Sequence, residues 1–401
     1  MSPGDLAAAI TARRGELGAS LVILGHHYQT DDIIRHADHT GDSLKLSQIA
    51  AGLARADGAG AKWVVFCGVH FMAETADMLT PEHVSVILPD LSAGCSMADM
   101  AQYDDALEAW ESIHAALASK GWRGRVIPIT YVNSSAAIKA FVGENGGACC
   151  TSSNADAVLK WALDGGEQPG TGEDIRVLFL PDQHLGRNTA AKAGIDVRAN
   201  TCVYDPKKVH QGEELGGATA EQIGAARVIL WAGHCSVHKL FRPEHCDAIR
   251  AENAASTERA PLKILVHPEC CKEVVDKSDL QGSTEFIIRT IDASAPGSRW
   301  AVGTEVHLVN RLATRAKERG VEVRILSDCQ CLCTTMFRID EPHLLWVLDN
   351  LAGAYSKDGK PKVVNRVTVH PVVREKALLA VDRMLRLVPG TTRAAALAAA
   401  D

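Results

Sequence analysis

Short β-branched apolar runs alternate with stretches of helical spacing along this chain, and the alternation restarts twice. In the first pass, Leu21 to Gly25 ends in His26-His27-Tyr28-Gln29, Lys62 to Phe66 ends in Cys67-Gly68-Val69-His70, and Val84 to Leu88 leads to Gly94-Cys95-Ser96. In the second, Arg125 to Ile129 ends in Tyr131-Val132-Asn133, Cys149 to Asn154 precedes a helix, Val177 to Leu180 leads to Asp182, and Val228 to Trp231 leads to His234-Cys235 and His238. In the third, Leu262 to Val266 ends in His267-Pro268-Glu269, Gly282-Ser283-Thr284 opens a helix, Trp300 to Val302 ends in Gly303-Thr304-Glu305, and Val321 to Leu326 runs into Cys329, Cys331 and Cys333. Strand, helix, strand in this rhythm is the pattern of parallel sheets covered by helices. The chain is therefore expected to be α/β, with three αβα units of three layers and small parallel sheets about a pseudo-threefold axis. The expected units are residues 1–100, 101–245 and 246–401. Each would point one cysteine at a common centre: Cys95, Cys235 and one of the last three.

Two helical stretches, through Leu351 and from Glu375 to Leu387, are expected to pack back against the first unit, and Arg393 to Asp401 to fray. Pro206 to Gly217 is polar and glycine-rich and is expected to be an insertion or loop. A net charge of −7 on 401 residues is not the basic footprint of a nucleic-acid binder. No apolar run is long enough to span a bilayer, and Met1 to Ala19 holds Asp5 and Glu16 with no apolar signal core. The expectation is a cytoplasmic protein whose twelve cysteines stay reduced, with neither membrane nor nucleic acid as partner.

Thiolates brought together in a reducing compartment suit metal chemistry. Three of them can hold an iron–sulfur cluster and leave one iron open to substrate. A zinc site from Cys329, Cys331 and Cys333 is the rival. Alternate residues of an extended segment share a face but are spread along it, so these three bind one metal poorly without a turn. His26, Tyr28, Tyr131, His238, His267 and Glu269 lie at strand ends or beside a candidate ligand and can act as acids and bases. Ser43, Ser152 and Thr284 lie near helix starts, where they either cap the helix or help bind an anion. Cys67, Cys149, Cys202, Cys246 and Cys271 are expected to be core or surface thiols, and Asp182 with Arg187 a structural ion pair. A glycine-rich nucleotide loop is absent from the sequence.

From about Leu21 to Leu387 the chain resembles the quinolinate synthases, iron–sulfur enzymes of NAD biosynthesis. The resemblance rests on His26-His27-Tyr28-Gln29, Gly41-Asp42-Ser43, the run from Phe66 to Ala76, Tyr131 to Ala137, Thr151-Ser152-Ser153, Pro181 to Arg187, Gly233 to His238 and His267-Pro268-Glu269. It implies three αβα domains around a [4Fe–4S] cluster held by Cys95, Cys235 and Cys333. It implies a condensing and dehydrating transferase that joins iminoaspartate (iminosuccinate) to dihydroxyacetone phosphate, giving quinolinate, phosphate and water, with an L-aspartate-oxidising enzyme as supplier. It further implies substrate contacts from His26, Ser43, Tyr131, Val132, Asn133, Ser152, His267, Pro268, Glu269 and Thr284. Tyr28, Tyr131, His238 and Glu269 would be the catalytic groups. Cys333 is also the thiol of its triplet nearest a helix start, where backbone N–H groups favour a thiolate.

Overall fold

The computed structural model describes residues 2–53, 60–255, 259–328 and 331–388. Cys329 and the expected frayed helix Arg393 to Asp401 lie outside them. Three small sheets, flanked by helices, carry the fold. The first holds β1 (Leu21–His26), β2 (His39–Gly41), β3 (Trp63–Cys67) and β4 (Ser85–Ile87). The second holds β5 (Arg125–Tyr131), β6 (Ala148–Cys150), β7 (Ile175–Leu180), β8 (Thr201–Tyr204) and β9 (Val228–Trp231). The third holds β10 (Leu262–Val266), β11 (Leu280–Gln281), β12 (Arg299–Gly303) and β13 (Glu322–Ile325). These strands pair in parallel, in the orders β2-β1-β3-β4, β6-β5-β7-β9-β8 and β11-β10-β12-β13. All three sheets thus share one order, and β8 is an extra edge strand on the second.

Burial explains why the strands read as solid apolar runs. Ile23, Leu24, Val64 and Val65 are successive residues buried on opposite faces of the first sheet, because helices cover both sides. The register is repeated as well. His26 pairs with Gly41, Tyr131 with Cys150 and Val266 with Gln281. The end of each sheet's first strand therefore lies beside the start of the helix after its second strand. Those helices are Ser43–Leu53, Ala155–Leu163 and Thr284–Asp292.

Each sheet also ends alike. Cys95, Cys235 and Cys333 stand three residues before the short 3-10 turns Ala98–Met100, His238–Leu240 and Met336–Arg338. The N–H groups of Asp99, Lys239 and Phe337 donate to the carbonyls of Cys95, Cys235 and Cys333 at 3.1, 3.1 and 3.0 Å.

Several expectations need correcting. Pro206 to Gly217 is only partly a loop: it contains a short helix, Pro206–Val209, and a 3-10 turn, Glu214–Gly217. Among the described residues no ion pair joins Asp182 to Arg187. The Asp182 carboxylate instead caps the helix Gln183–Lys192, accepting from His184 and Leu185 N–H at 2.7 and 2.8 Å. The helix Glu341–Leu351 packs on the first helix, Pro3–Leu17, but the last helix, Pro371–Arg386, crosses Ala136–Glu144 and β6 of the second sheet. Between them β14 (Arg366–Val367) adds antiparallel to β4.

The apolar core is divided unevenly. One cluster runs through the first and second sheets and the C-terminal helices. The third sheet has a cluster on each of its faces, one of them including Val237 and Phe241 from the turn after Cys235. Contacts between the first and third sheets include many polar ones. Arg311, on the helix Val306–Lys317, donates to the carbonyls of His27 and Gln29 at 3.0 and 2.6 Å and to Asp31 at 2.5 Å. His27 Nε2 meets Glu285 at 2.9 Å.

Candidate functional site at the junction of the three sheets

The carboxyl ends of the three sheets converge on one pocket. Each sheet contributes the same four kinds of position. The first gives His26, Tyr28, Ser43 and Cys95; the second Tyr131, Asn133, Ser152 and Cys235; the third His267, Glu269, Thr284 and Cys333. Of the residues singled out in the sequence, three stand off the lining. Val132 is buried and uses its N–H on the Cys150 carbonyl at 2.8 Å. Pro268 lines a neighbouring cleft with Asn188 and Lys192, and its carbonyl accepts from Asn188 at 2.9 Å. His238 lies behind the wall, bonded to Glu269. Asp42, Thr151 and Thr335 line the pocket too, beside residues the sequence marked, as do the apolar Phe71, Met97, Val237 and Met336.

Three thiols sit among those apolar side chains. Burial pushes the Cys95 thiol up to about 12 and raises Cys235 and Cys333 as well. Backbone N–H groups at the turns work the other way: Ala98 and Met97 on Cys95, His238 on Cys235, Met336 and Thr335 on Cys333. Such thiols stay protonated alone and need a cation to displace their protons, while the aimed N–H groups stabilise the thiolates that result. The donor set therefore fits a thiolate-bound metal group. Cys331 is buried in a core cluster of the third sheet and does not line the pocket.

The other side of the pocket is polar. Ser43 and Thr284 open their helices, and Ser152 lies three residues ahead of Ala155. In the first and third sheets helix capping falls to their neighbours: Asp42 accepts from Lys45 N–H at 2.9 Å and Ser283 from Phe286 N–H at 3.3 Å. Asn154 Oδ1 instead accepts from Thr151 N–H, ahead of its helix, at 2.8 Å. The hydroxyls of Ser43, Ser152 and Thr284 are left to the pocket, with helix N-termini behind them that favour an anion.

Acid and base groups join the two sides. Burial, then the neighbouring His27 and His267, push His26 down to about 3, and burial with His238 pushes His267 to about 3, so both rings are neutral at neutral pH. Burial alone would raise the Glu269 carboxyl; the adjoining His238 and His267 and a hydrogen bond from Tyr131 hold it well below the usual carboxylate range. Burial keeps the Tyr28 and Tyr131 phenols protonated far above neutral pH. Glu269 Oε2 lies 2.8 Å from His238 Nδ1, whose Nε2 lies 3.2 Å from Thr304 Oγ1. Thr304 Oγ1 is in turn 3.0 Å from the Tyr28 hydroxyl, and Tyr28 is 3.3 Å from Thr284. A sulfur of Cys235, a ring nitrogen of His238 and an oxygen of Glu269 lie within 4.8 Å of one another, so the thiols and the acid–base groups share one centre. Such a site can hold a small dianion at one end, a metal group at the other, and move protons between them. Thr304 was visible in the sequence only as part of a strand ending; its role depends on which side chains the fold brings to it.

Residues 9–386 match the family described as Quinolinate synthetase A protein. The chain is 49% identical over 397 residues to a protein of Nocardioides sp. strain JS614 named quinolinate synthase, covering 97% of this chain and 92% of that one. It is 49% identical over 379 residues to one of Acidobacterium capsulatum, covering 94% and 92%, and 45% identical over 388 residues to one of Bacillus subtilis strain 168, covering 96% and 94%, both bearing the same name. A match of this length, with three thiols, three helix-start hydroxyls and a buried histidine–glutamate pair in one pocket, places the chain in the quinolinate synthase family of enzymes.

Proposed function

We propose that this chain condenses iminoaspartate with dihydroxyacetone phosphate to give quinolinate, phosphate and water, in the cytoplasm, on substrate supplied by an L-aspartate-oxidising enzyme. The observation that carries this is the two-sided pocket: three thiols from three sheets face three hydroxyls at helix starts. Cys95, Cys235 and Cys333 would hold a [4Fe–4S] cluster. When bound, it supplies an iron with an open position, a Lewis acid for a carboxylate, carbonyl or hydroxyl oxygen.

The chain's own residues do the rest. Ser43, Ser152 and Thr284 take the anionic groups of the substrates, with the helix N-termini contributing partial positive charge. Neutral His26, Asn133 and His267 offer hydrogen bonds without adding charge to a buried site, and Pro268 shapes the turn that holds His267 and Glu269. Val132 fixes the turn carrying Tyr131 and Asn133. Joining the substrates and closing an aromatic ring removes protons from carbon and delivers protons to departing oxygens. Ionised Glu269 with His238 accepts such protons; the Tyr28 and Tyr131 phenols donate them.

Anaerobic purification with iron, sulfide and zinc analysis, beside an assay of quinolinate, tests the proposal. A brown protein that fades in air and forms quinolinate is expected. A colourless zinc protein with full synthase activity refutes the cluster, and a cluster-loaded protein inert toward these substrates refutes the reaction. Changing Cys95, Cys235 or Cys333 to Ser is expected to abolish the cluster, while Cys331→Ser retains it.

A further inference from the structure

Lys139 lies on the helix Ala136–Glu144 and is the one fully buried lysine or arginine among the described residues. No step assigned above uses it. Its ammonium donates to the Ser134 carbonyl and lies 5.5 Å from the centroid of the Phe71 ring. Among the described residues no carboxylate forms an ion pair with it. Glu74 is engaged elsewhere: one oxygen accepts from Ala136 N–H at 3.0 Å and the other is 3.9 Å from His70 Nδ1. Burial pushes the Cys149 thiol up to about 12, so that neighbour is neutral at neutral pH. Burial lowers Lys139 itself, and Cys149, Glu74 and Cys95 act against that. An ammonium taken out of water without a partner is costly, and a core retains one only where something answers its charge.

The charge that can answer it is at the pocket. Phe71 lines the pocket with Cys95, and its helix, His70–Leu79, is tied to the segment before Cys95 by His70 N–H on the Ala93 carbonyl at 2.8 Å. Lys139 thus stands behind the wall that Phe71 makes, and Cys95 is the pocket thiol whose charge it feels. A metal group turns that thiol into a thiolate. Three thiolates around a doubly positive [4Fe–4S] core leave one net negative charge among apolar side chains, which screen it weakly.

We propose that Lys139 is the countercharge of the cluster, a buried ammonium that offsets the negative charge of the thiolate-bound group and sets its reduction potential. The inference rests on the reading that Cys95, Cys235 and Cys333 hold a [4Fe–4S] cluster. Net charge is one of the main determinants of such a potential. One added electron doubles the net negative charge, and a nearby cation favours that; one electron removed is disfavoured in the same measure. In the metal-free chain the same ammonium has no anion to meet and weakens the fold.

Lys139→Met keeps the length and removes the charge; Lys139→Gln also removes the charge but keeps an N–H donor for the Ser134 carbonyl. Anaerobically loaded proteins are titrated with redox dyes and followed by electron paramagnetic resonance. Both variants are expected to show an equilibrium constant for one-electron reduction about tenfold smaller than wild type, a potential more negative by about 59 mV. In urea titrations of metal-free protein, Lys139→Met should unfold at the wild-type midpoint or above it, because an apolar chain replaces an unpaired charge. A wild-type potential in Lys139→Met overturns the proposal. So does a shift in Lys139→Met that Lys139→Gln does not share, which would make the hydrogen bond to Ser134 the cause. A metal-free Lys139→Met that unfolds at lower urea, or does not fold, overturns it too, since the ammonium would then be satisfied without iron. Wild-type protein that takes up no iron–sulfur cluster refutes the cluster itself; equal potentials in loaded proteins refute only the countercharge.

Discussion

A carboxyl group with 3% of its surface exposed ordinarily keeps its proton, yet Glu269 is held ionised. The difference lies in its neighbours: the His238 ring at 2.8 Å first, then His267 and the Tyr131 phenol. Removing the charge without changing the shape is therefore the informative experiment. Glu269→Gln is expected to keep the cluster and lose about 100-fold or more in kcat, measured as quinolinate formed per iron centre. His26 and His267 behave in the opposite sense to a salt-bridged histidine. Both are depressed from 6.5 to about 3, so the unfolded chain binds more protons than the folded one between those values. Stability should then fall as pH drops from about 6.5 toward 3, with a limiting slope of about 1.4 kcal/mol per pH unit for each ring. His27, His267 and Arg311 act on His26 in that direction and Glu269 against it; the depressed Glu269 adds a loss of the same sign at lower pH. Urea midpoints of metal-free protein at pH 7 and pH 5 check this, and His26→Asn should show the smaller drop. At this scale the sequence was informative, because His26, Tyr131 and His267 end strands and Cys95, Cys235 and Cys333 precede turns. The distinction between Ser283, which caps, and Thr284, which faces the pocket, was not legible, since both are hydroxyls at a helix start.

Among the elements, the last helix is the one whose partner could not be read from sequence. Apolar spacing from Glu375 to Leu387 defines a face, and a face does not name what covers it. The crossing with Ala136–Glu144 depends on Gly143, where an added Cβ would come within 2.2 Å of the Lys376 carbonyl. Arg383 completes it by donating to the carbonyls of Gly143 and Gly147 at 3.0 and 2.7 Å. Backbone stands in the way of the new methyl, so neither helix can yield by moving a side chain. Gly143→Ala is expected to cost about 1–3 kcal/mol in a denaturant titration, with iron content per folded molecule unchanged. The strands β8 and β14 escaped notice for a different reason. Four and two residues long, they carry too little pattern to stand out, and their pairing is decided by β9 and β4. Strands of five to seven residues such as β3, β5 and β10 were visible because nearly every position in them is buried.

At the scale of the whole molecule, the uneven division of the core sets what can move. The first and second sheets share one apolar cluster, whereas the third touches the first through groups such as Arg311, His27–Glu285 and the Tyr28 hydroxyl. Separating surfaces held by hydrogen bonds returns those groups to water and costs little; separating an apolar core costs about 25 cal/mol for each Å² exposed. Arg311→Met should therefore speed amide hydrogen exchange in residues 27–31 and 284–292, leaving β5 and β7 at wild-type rates. Uniform exchange across all three sheets would contradict this. The third sheet is in effect a door: it hinges where Val237 and Phe241 pack into one of its faces and latches by polar contacts against the first sheet. A cluster held at all three edges would bolt that door, so a chain without iron should be a looser molecule as well as an inactive one.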